Sequence, residues 1–271
     1  LIIEVEEGEN KPYSCKEGFY LREGPNSQKM KRDEIVDFII GEGKTKFDEL
    51  INKDFNFEKD FDEDKLDSYL KLSRLTKNLD NEDILINLGV AFKEKNKLKI
   101  NNAGILFFSK NPCDLIRQAN VSCIRFKGIN KISIIDKLDL KDDVITNIDN
   151  AIKFIQRNTR VEYKIENVKR EEIPEYPLEA IREAIVNAVM HRDYFEKGAN
   201  VQIEVFDDRL EIYNPGGLVK ALKKEDFGRK GIRRNPLIAD LLHRVRYVEK
   251  AGTGILRMRE AMKKRNLPEP K

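Results

Sequence analysis

Residues 176–194 read Y-P-L-E-A-I-R-E-A-I-V-N-A-V-M-H-R-D-Y and contain the clearest structural signal of the chain. Residues 180–190 contain no Gly or Pro, and their apolar members recur at helical spacing, which predicts an amphipathic helix. Pro177 stands where such a helix would begin, because proline is favoured in the first turn. We therefore expect one well-defined helix here, with an apolar and a polar face.

Three polar residues of this helix, Glu183, Asn187 and His191, follow one another at intervals of four, so they share one face. A Glu can polarise a water molecule, and an Asn can offer a neutral oxygen to a hard cation such as Mg²⁺. The same spacing also fits the solvated side of an ordinary amphipathic helix. The helix alone leaves both interpretations open.

The residues that follow predict a β-hairpin that ends in a glycine turn. Residues 201–206 and 209–213 alternate apolar and polar side chains around the acidic pair Asp207-Asp208. The hairpin runs into Asn214-Pro215-Gly216-Gly217, a turn in which the glycines let a ligand approach the backbone closely.

A second glycine turn, Ala251-Gly252-Thr253-Gly254, leads directly into an amphipathic helix predicted over 255–264. The start of a helix offers free N–H groups and a positive dipole end, which suit a phosphate. Between the two turns lies a cationic segment, residues 220–234.

The order of these features resembles the GHKL ATPase superfamily, which includes gyrase B, Hsp90, histidine kinases and MutL. It is most similar to the branch found in predicted transcriptional regulators, related to RecG helicase and to divergent ATPases. The resemblance covers roughly residues 80–270, and five strings carry it: 101–112, 182–194, 208–218, 234–242 and 249–258.

The resemblance implies ATP and Mg²⁺ as cofactors and gives roles to individual residues. Asn214 stands where the family usually has an Asp that reads adenine, and the second glycine turn is short, which favours binding over rapid turnover. His191 either contacts a phosphate or holds the end of its helix. The implied roles are a general base for Glu183, a Mg²⁺ ligand for Asn187, purine contacts for Asn214, Gly216 and Gly217, phosphate contacts for Gly252, Thr253 and Gly254, and a lid or its edge for Arg233, Arg234 and Asn235.

The N-terminal part resembles the tail of an Alba-like, Schlafen-type domain. Residues 1–5 are predicted as a strand, 18–24 as part of a hairpin-like pair with the string Y-x-R-x-G at 20–24, and 31–35 as the start of a helix. Relatives continue past the last residues to a winged-helix module, so we expect a fragment. The predicted division is 1–45 for the truncated Alba-like piece, 46–100 for a helical connector and 101–271 for the GHKL-like domain.

Periodicity predicts the remaining elements. Residues 64–72 and 82–91 are expected as helices, 103–108 and 121–126 as buried strands, and 142–158 as a helix with an apolar stripe. Gly41-Glu42-Gly43-Lys44-Thr45 ends like a phosphate-binding Walker loop, but Phe38 stands where the first Gly is needed and residues 33–40 are predicted as a helix. A polar loop is the simpler interpretation.

Composition favours a cytoplasmic ligand-binding protein. No run approaches the roughly 18 apolar residues of a membrane span, no signal peptide is visible, and the three cysteines form no metal or disulfide pattern. The net charge of +3 conceals a basic end: residues 218–271 contain 16 Lys and Arg against 6 Asp and Glu, hence 16 − 6 = +10. Such a surface suits DNA or polyphosphate.

We therefore predict an α/β (α+β) chain with a GHKL-type Bergerat-like sandwich. The predicted function is a nucleotide-binding transcriptional regulator, associated with DNA and switched by ATP, with a homodimer as a candidate assembly. Two alternatives stay open. One is a slow ATPase with Glu183 as base, and the other is a degenerate module for dimerisation or nucleic-acid binding that takes no nucleotide.

Overall fold

This computed structural model describes residues 13–41, 45–166, 169–219, 222, 224–228, 231–249 and 252–271. The strand predicted at 1–5 and residues 42–44 of the Walker-like string lie outside the described residues.

The described helices and strands follow one another in short groups of the same kind. The helices are α1 (Arg32–Gly41), α2 (Phe57–Asp60), α3 (Glu63–Ser73), α4 (Asn81–Asn87), α5 (Asn102–Phe108), α6 (Pro112–Leu115), α7 (Val144–Asn158), α8 (Leu178–His191), α9 (Pro236–Arg244) and α10 (Gly254–Lys264). The strands are β1 (Ser14–Cys15), β2 (Gly18–Glu23), β3 (Asn26–Lys29), β4 (Ala91–Glu94), β5 (Lys97–Ile100), β6 (Val121–Phe126), β7 (Ile134–Leu140), β8 (Val161–Glu166), β9 (Lys169–Pro174), β10 (Val201–Val205) and β11 (Leu210–Tyr213).

A four-stranded mixed sheet with the order β11-β10-β6-β7 forms the centre of the fold. β10 runs parallel to β6 and antiparallel to β11, while β6 and β7 are antiparallel. α7 and α8 pack against each other and contact the sheet, and α10 packs on α8. The mixed α/β class predicted from the sequence is confirmed.

One continuous core joins the helices before the sheet to the sheet itself. Leu66 of α3 and Leu85 of α4 are fully buried in the same cluster as Ile185 of α8 and Ile203 of β10. The division at 46–100 and 101–271 stays a prediction, and in the described structure the two segments share this core.

The predictions of α8, of the β10–β11 hairpin and of α7 are confirmed. α8 begins directly after Pro177, and β10 and β11 form the predicted hairpin, closed by a hydrogen bond from Phe206 N to Arg209 O of 2.8 Å. α7 begins where Asp143 accepts hydrogen bonds from the N–H groups of Ile145 and Thr146. These helix and turn signals are local, so the sequence suffices to place them.

Two predicted elements are wrong. Residues 103–108 form a helix instead of a strand, because Asn101 caps it by accepting from Gly104 N at 3.0 Å and every residue of α5 is buried. An apolar run buried on all sides carries no periodicity that separates strand from helix. The helix predicted to reach Ala91 ends at Asn87, because Gly89 turns the chain with φ +78° and Ala91 opens β4.

In the part of the chain that the structure describes, no helix is long and apolar enough to cross a membrane.

Candidate functional site

The polar face of α8 opens into a cleft of about 500 Å³. Glu183, Asn187 and His191 all line it, and Asn187 Nδ2 donates a hydrogen bond of 3.0 Å to Glu183 Oε1. The spacing of four therefore does bring the carboxylate and the carboxamide together. With its nitrogen turned to Glu183, the atom that Asn187 offers to a cation is its oxygen.

The start of α10 forms the opposite wall, and Glu183 reaches it. A Cβ added at Gly254 would lie 1.6 Å from Glu183 Oε1, so no side chain fits at this position while the carboxylate keeps its place. Thr253 makes no side-chain cap, and the first turn of α10 contains no acidic residue. The Glu183 carboxylate thus lies against a helix N-terminus, where an anion is stabilised.

The first glycine turn is fixed to the end of α8. Gly216 has φ +98°, and a Cβ added there would lie 2.7 Å from Asp193 Cβ. Asp193 N donates to Pro215 O at 2.9 Å, and Arg234 donates both to Asp193 Oδ2 at 2.5 Å and to Gly217 O. Only a glycine suits this close, left-handed position.

The second glycine turn approaches the basic segment. Gly252 has φ +65°, and a Cβ added there would lie 3.3 Å from the backbone nitrogen of Gly231. Two glycine-containing stretches therefore meet backbone to backbone at the side of the cleft. This close contact leaves main-chain groups, and no bulky side chains, facing a ligand.

His191 is neutral at physiological pH. Burial is the main cause that lowers its pKa to about 4, and the positive charges of Arg234 and Arg233 act in the same direction. A neutral imidazole beside two arginines can donate or accept a hydrogen bond without adding positive charge.

Two predicted contacts do not line the cleft among the described residues. Asn235 is buried beneath it, where Nδ2 donates to Met190 O at 2.8 Å and to Arg192 O at 2.9 Å, and so joins the start of α9 to the end of α8. Thr253 likewise is not part of the lining. The other residues selected from the sequence all line the cleft: Glu183, Asn187, His191, Asn214, Gly216, Gly217, Arg233, Arg234, Gly252 and Gly254.

Sequence reasoning missed Asp193, which holds Arg234 in place, and the apolar wall of the cleft. Asp193 follows His191 by two residues and gives no periodic signal, so only the folded contact identifies it. The apolar lining comes from β11, the two residues after the first glycine turn, and the basic segment: Ile212, Leu218, Val219, Leu222, Phe227 and Ile232.

The residues present fit a nucleotide with its cation. A cleft of about 500 Å³ has the size of a small-molecule site, with an apolar wall for a base and a helix start for phosphates. The described residues contain no cluster of three or more His, Cys, Asp or Glu that could hold a metal. Mg²⁺ needs few protein ligands when phosphates supply the rest, so Asn187 is a sufficient anchor.

Comparison with known proteins finds a family model that matches the C-terminal part of the chain and a solved structure of similar fold. Residues 198–271 match the family model described as "Putative ATP-dependent DNA helicase recG C-terminal", an HATPase-type model. The matched part runs from β10 to the end of the chain and contains both glycine turns, while α8 precedes it. The match supports a relation to the GHKL-like ATPases.

The chain also resembles the crystal structure of the DIP2311 protein from Corynebacterium diphtheriae, with a TM-score of 0.67 at 19% identity. The similarity covers 93% of this chain and 50% of that one, so this chain spans about half the length of the solved protein. At this identity the likeness is one of fold. No curated protein matches the chain.

Proposed function

We propose that the cleft between α8, the two glycine turns and α10 binds ATP with Mg²⁺. The observation that carries the proposal is the meeting of Glu183 and Asn187 with the start of α10 in one cleft. The match of residues 198–271 to an HATPase-type family model supports it independently, because that match does not include α8.

In this proposal each wall of the cleft has a task. The N–H groups at the start of α10 receive phosphate, Asn187 holds the cation, and the apolar side takes the base, with Asn214 as its polar contact. Arg234, fixed by Asp193 and by Gly217 O, supplies a positive charge close to the phosphates. The phosphates then take the position against Gly254 that the Glu183 carboxylate now occupies.

We further propose that the bound state regulates association with DNA. The +10 charge of residues 218–271 supports this part of the proposal. α10 carries 4 − 1 = +3 of this charge, with Lys263 and Lys264 in its last turn. Closure of the basic segment over the nucleotide would change which of these charges face outward.

A thermal-shift series with ATP, ADP and Mg²⁺ tests the nucleotide proposal. We expect the melting temperature to rise with nucleotide concentration, since a ligand that binds only the folded state stabilises it. No shift at millimolar ATP would contradict the proposal. A salt-sensitive DNA gel shift that ATP does not alter would favour the alternative, a nucleic-acid or dimerisation module without nucleotide.

Slow hydrolysis is the second candidate, and the position of Glu183 at the head of the cleft favours it. As general base its carboxylate would accept a proton from the attacking water. Release of phosphate that disappears in Glu183→Ala, while ATP binding survives, would establish this role. Equal phosphate release from both proteins would show that Glu183 is not the base.

A further inference from the structure

The outer edge of the four-stranded sheet carries an exposed apolar strip. Among the described elements β7 is an end strand, paired with β6 on one side only. Ile134 and Ile135 at its start are 56% and 58% exposed, and Ile132 just before it is 86% exposed. An uncovered edge with apolar side chains is a template for a further strand.

The loop before β7 is fixed to the sheet and so does not cover this edge. Gly128 and Asp207 exchange hydrogen bonds, with Gly128 N donating to Asp207 Oδ2 at 2.8 Å and Asp207 N donating to Gly128 O at 3.0 Å. Lys131 Nζ lies 2.5 Å from Glu204 Oε2 of β10. These contacts hold Ile132 outward next to the free edge.

The exposed face of β7 is complementary in charge to itself. Lys137 and Asp139 point to the same side of the strand, where Lys137 Nζ lies 3.1 Å from Asp139 Oδ2, and their side chains are 52% and 38% exposed. The opposite face, with Leu138 and Leu140, is partly or fully buried. Beside an antiparallel copy, each of these two residues can keep this neighbour and also face the oppositely charged residue of the other strand.

We propose that β7 pairs antiparallel with β7 of a second copy of this chain, across a twofold axis at Leu138. In this register Lys137 of each copy lies opposite Asp139 of the other, and residues 136–140 pair. An axis at residue 137 would place Lys137 opposite itself, and one at 136 would place Asp136 opposite itself. Like charges directly opposite are destabilising, so of these three axes the one at Leu138 is favoured, because it brings unlike charges opposite each other.

Part of the apolar strip is covered in the same arrangement. Ile134 and Ile135 extend past the five paired residues and lie along residues 141–142 of the second copy. A strand pairing of this length buries less than a standard interface of roughly 1,600 Å². We therefore expect a dimer that dissociates in the micromolar range.

Sedimentation velocity across micromolar concentrations tests the proposal with charge variants. In a dimer of Lys137→Asp, both pairs between positions 137 and 139 join two acidic residues, and in a dimer of Asp139→Lys both pairs join two basic residues. Each variant alone should therefore dimerise at least about tenfold more weakly than wild type. An equimolar mixture of the two variants should dimerise again, because acidic residues then face basic ones. The double variant Lys137→Asp/Asp139→Lys should also recover the dimer.

Lys71→Asp is the matched control, because it makes the same charge change at an exposed position of α3, a helix that packs against α5. It should leave dimerisation unchanged. Recovery in the mixture also demonstrates that both single variants are folded. A wild-type protein that stays monomeric throughout, or a mixture that associates no better than the single variants, would overturn the proposal.

Discussion

The buried carboxyl group of Asp48 makes the free energy of unfolding depend on pH. Its side chain is fully buried, and Oδ2 accepts hydrogen bonds from Leu237 N at 2.7 Å and Ile238 N at 3.1 Å at the start of α9. Oδ1 is buried without a partner. Burial raises the pKa of Asp48 from 3.8 to about 6, although the two N–H groups act in the opposite direction.

The raised pKa means that the folded state favours the protonated carboxyl. The stability contributed by this proton is complete below the unfolded pKa of 3.8 and is lost as the pH rises through about 6. A difference of about 2 pKa units at 1.36 kcal/mol each sets a ceiling of about 3 kcal/mol. Asp48→Asn keeps an acceptor for the two N–H groups and carries no charge. We expect it to exceed wild type by about 1–3 kcal/mol near pH 7.5 and to match it near pH 4.

Urea denaturation of both proteins from about pH 4 to about pH 7.5 measures this difference. His191, whose lowered pKa makes its contribution fall as the pH decreases, titrates in the same range, but both proteins carry it and it cancels in the difference. Asp48→Ala, the control, removes the acceptor and should be destabilised relative to Asp48→Asn at every pH. If Asp48→Asn is less stable than wild type near pH 7.5, the carboxylate charge stabilises α9 and the reasoning is refuted.

Three further predictions concern the cleft and its support. Gly216→Ala should lower the free energy of unfolding in urea by about 2 kcal/mol or more, because Gly216 has a positive φ and an added Cβ would lie 2.7 Å from Asp193 Cβ. Gly217→Ala, with open space around it, should change the free energy of unfolding by no more than about 0.5 kcal/mol. Equal losses in the two variants would contradict the constraint at Gly216. The His191 ring, followed by NMR, should stay neutral down to about pH 5, given a pKa lowered to about 4, and a midpoint near pH 6.5 would place it in solvent. Arg192→Ala should lower the free energy of unfolding by about 3 kcal/mol or more, since the buried guanidinium donates to three backbone carbonyls. Lys197→Ala in the same loop is the exposed control. Similar stability of the two variants would contradict a stabilising role of Arg192.

The sequence was sufficient where signals are local. The spacing of Glu183 and Asn187, the hairpin around Asp207-Asp208 and the helix after Gly252 all depend on neighbours within a few residues, and the structure contains each of them. These elements also place most of the candidate site, because three of its walls are a helix face, a hairpin turn and a helix start.

Long-range contacts could not be predicted in the same way. Asp48 caps α9 across 189 residues, and Asn235 turned out to bind the end of α8 beneath the cleft. α5 is buried on all sides, so its apolar run predicted a strand where the Asn101 cap makes a helix. Each of these depends on which distant backbone groups need a partner, which appears only once the chain is folded.

Isothermal titration calorimetry with ATP and Mg²⁺ measures whether the cleft beside α8 binds a nucleotide. We compare wild type with Asn187→Ala, which removes the proposed cation ligand, and with Gly252→Val, which places a branched side chain at φ +65° beside Gly231. Gly128→Val is the matched control, a glycine with φ +78° in open space on the loop before β7. We predict micromolar binding to wild type and to the control, and its loss in both cleft variants. Absence of binding to wild type, or binding that survives both cleft substitutions, would contradict a nucleotide site in this cleft.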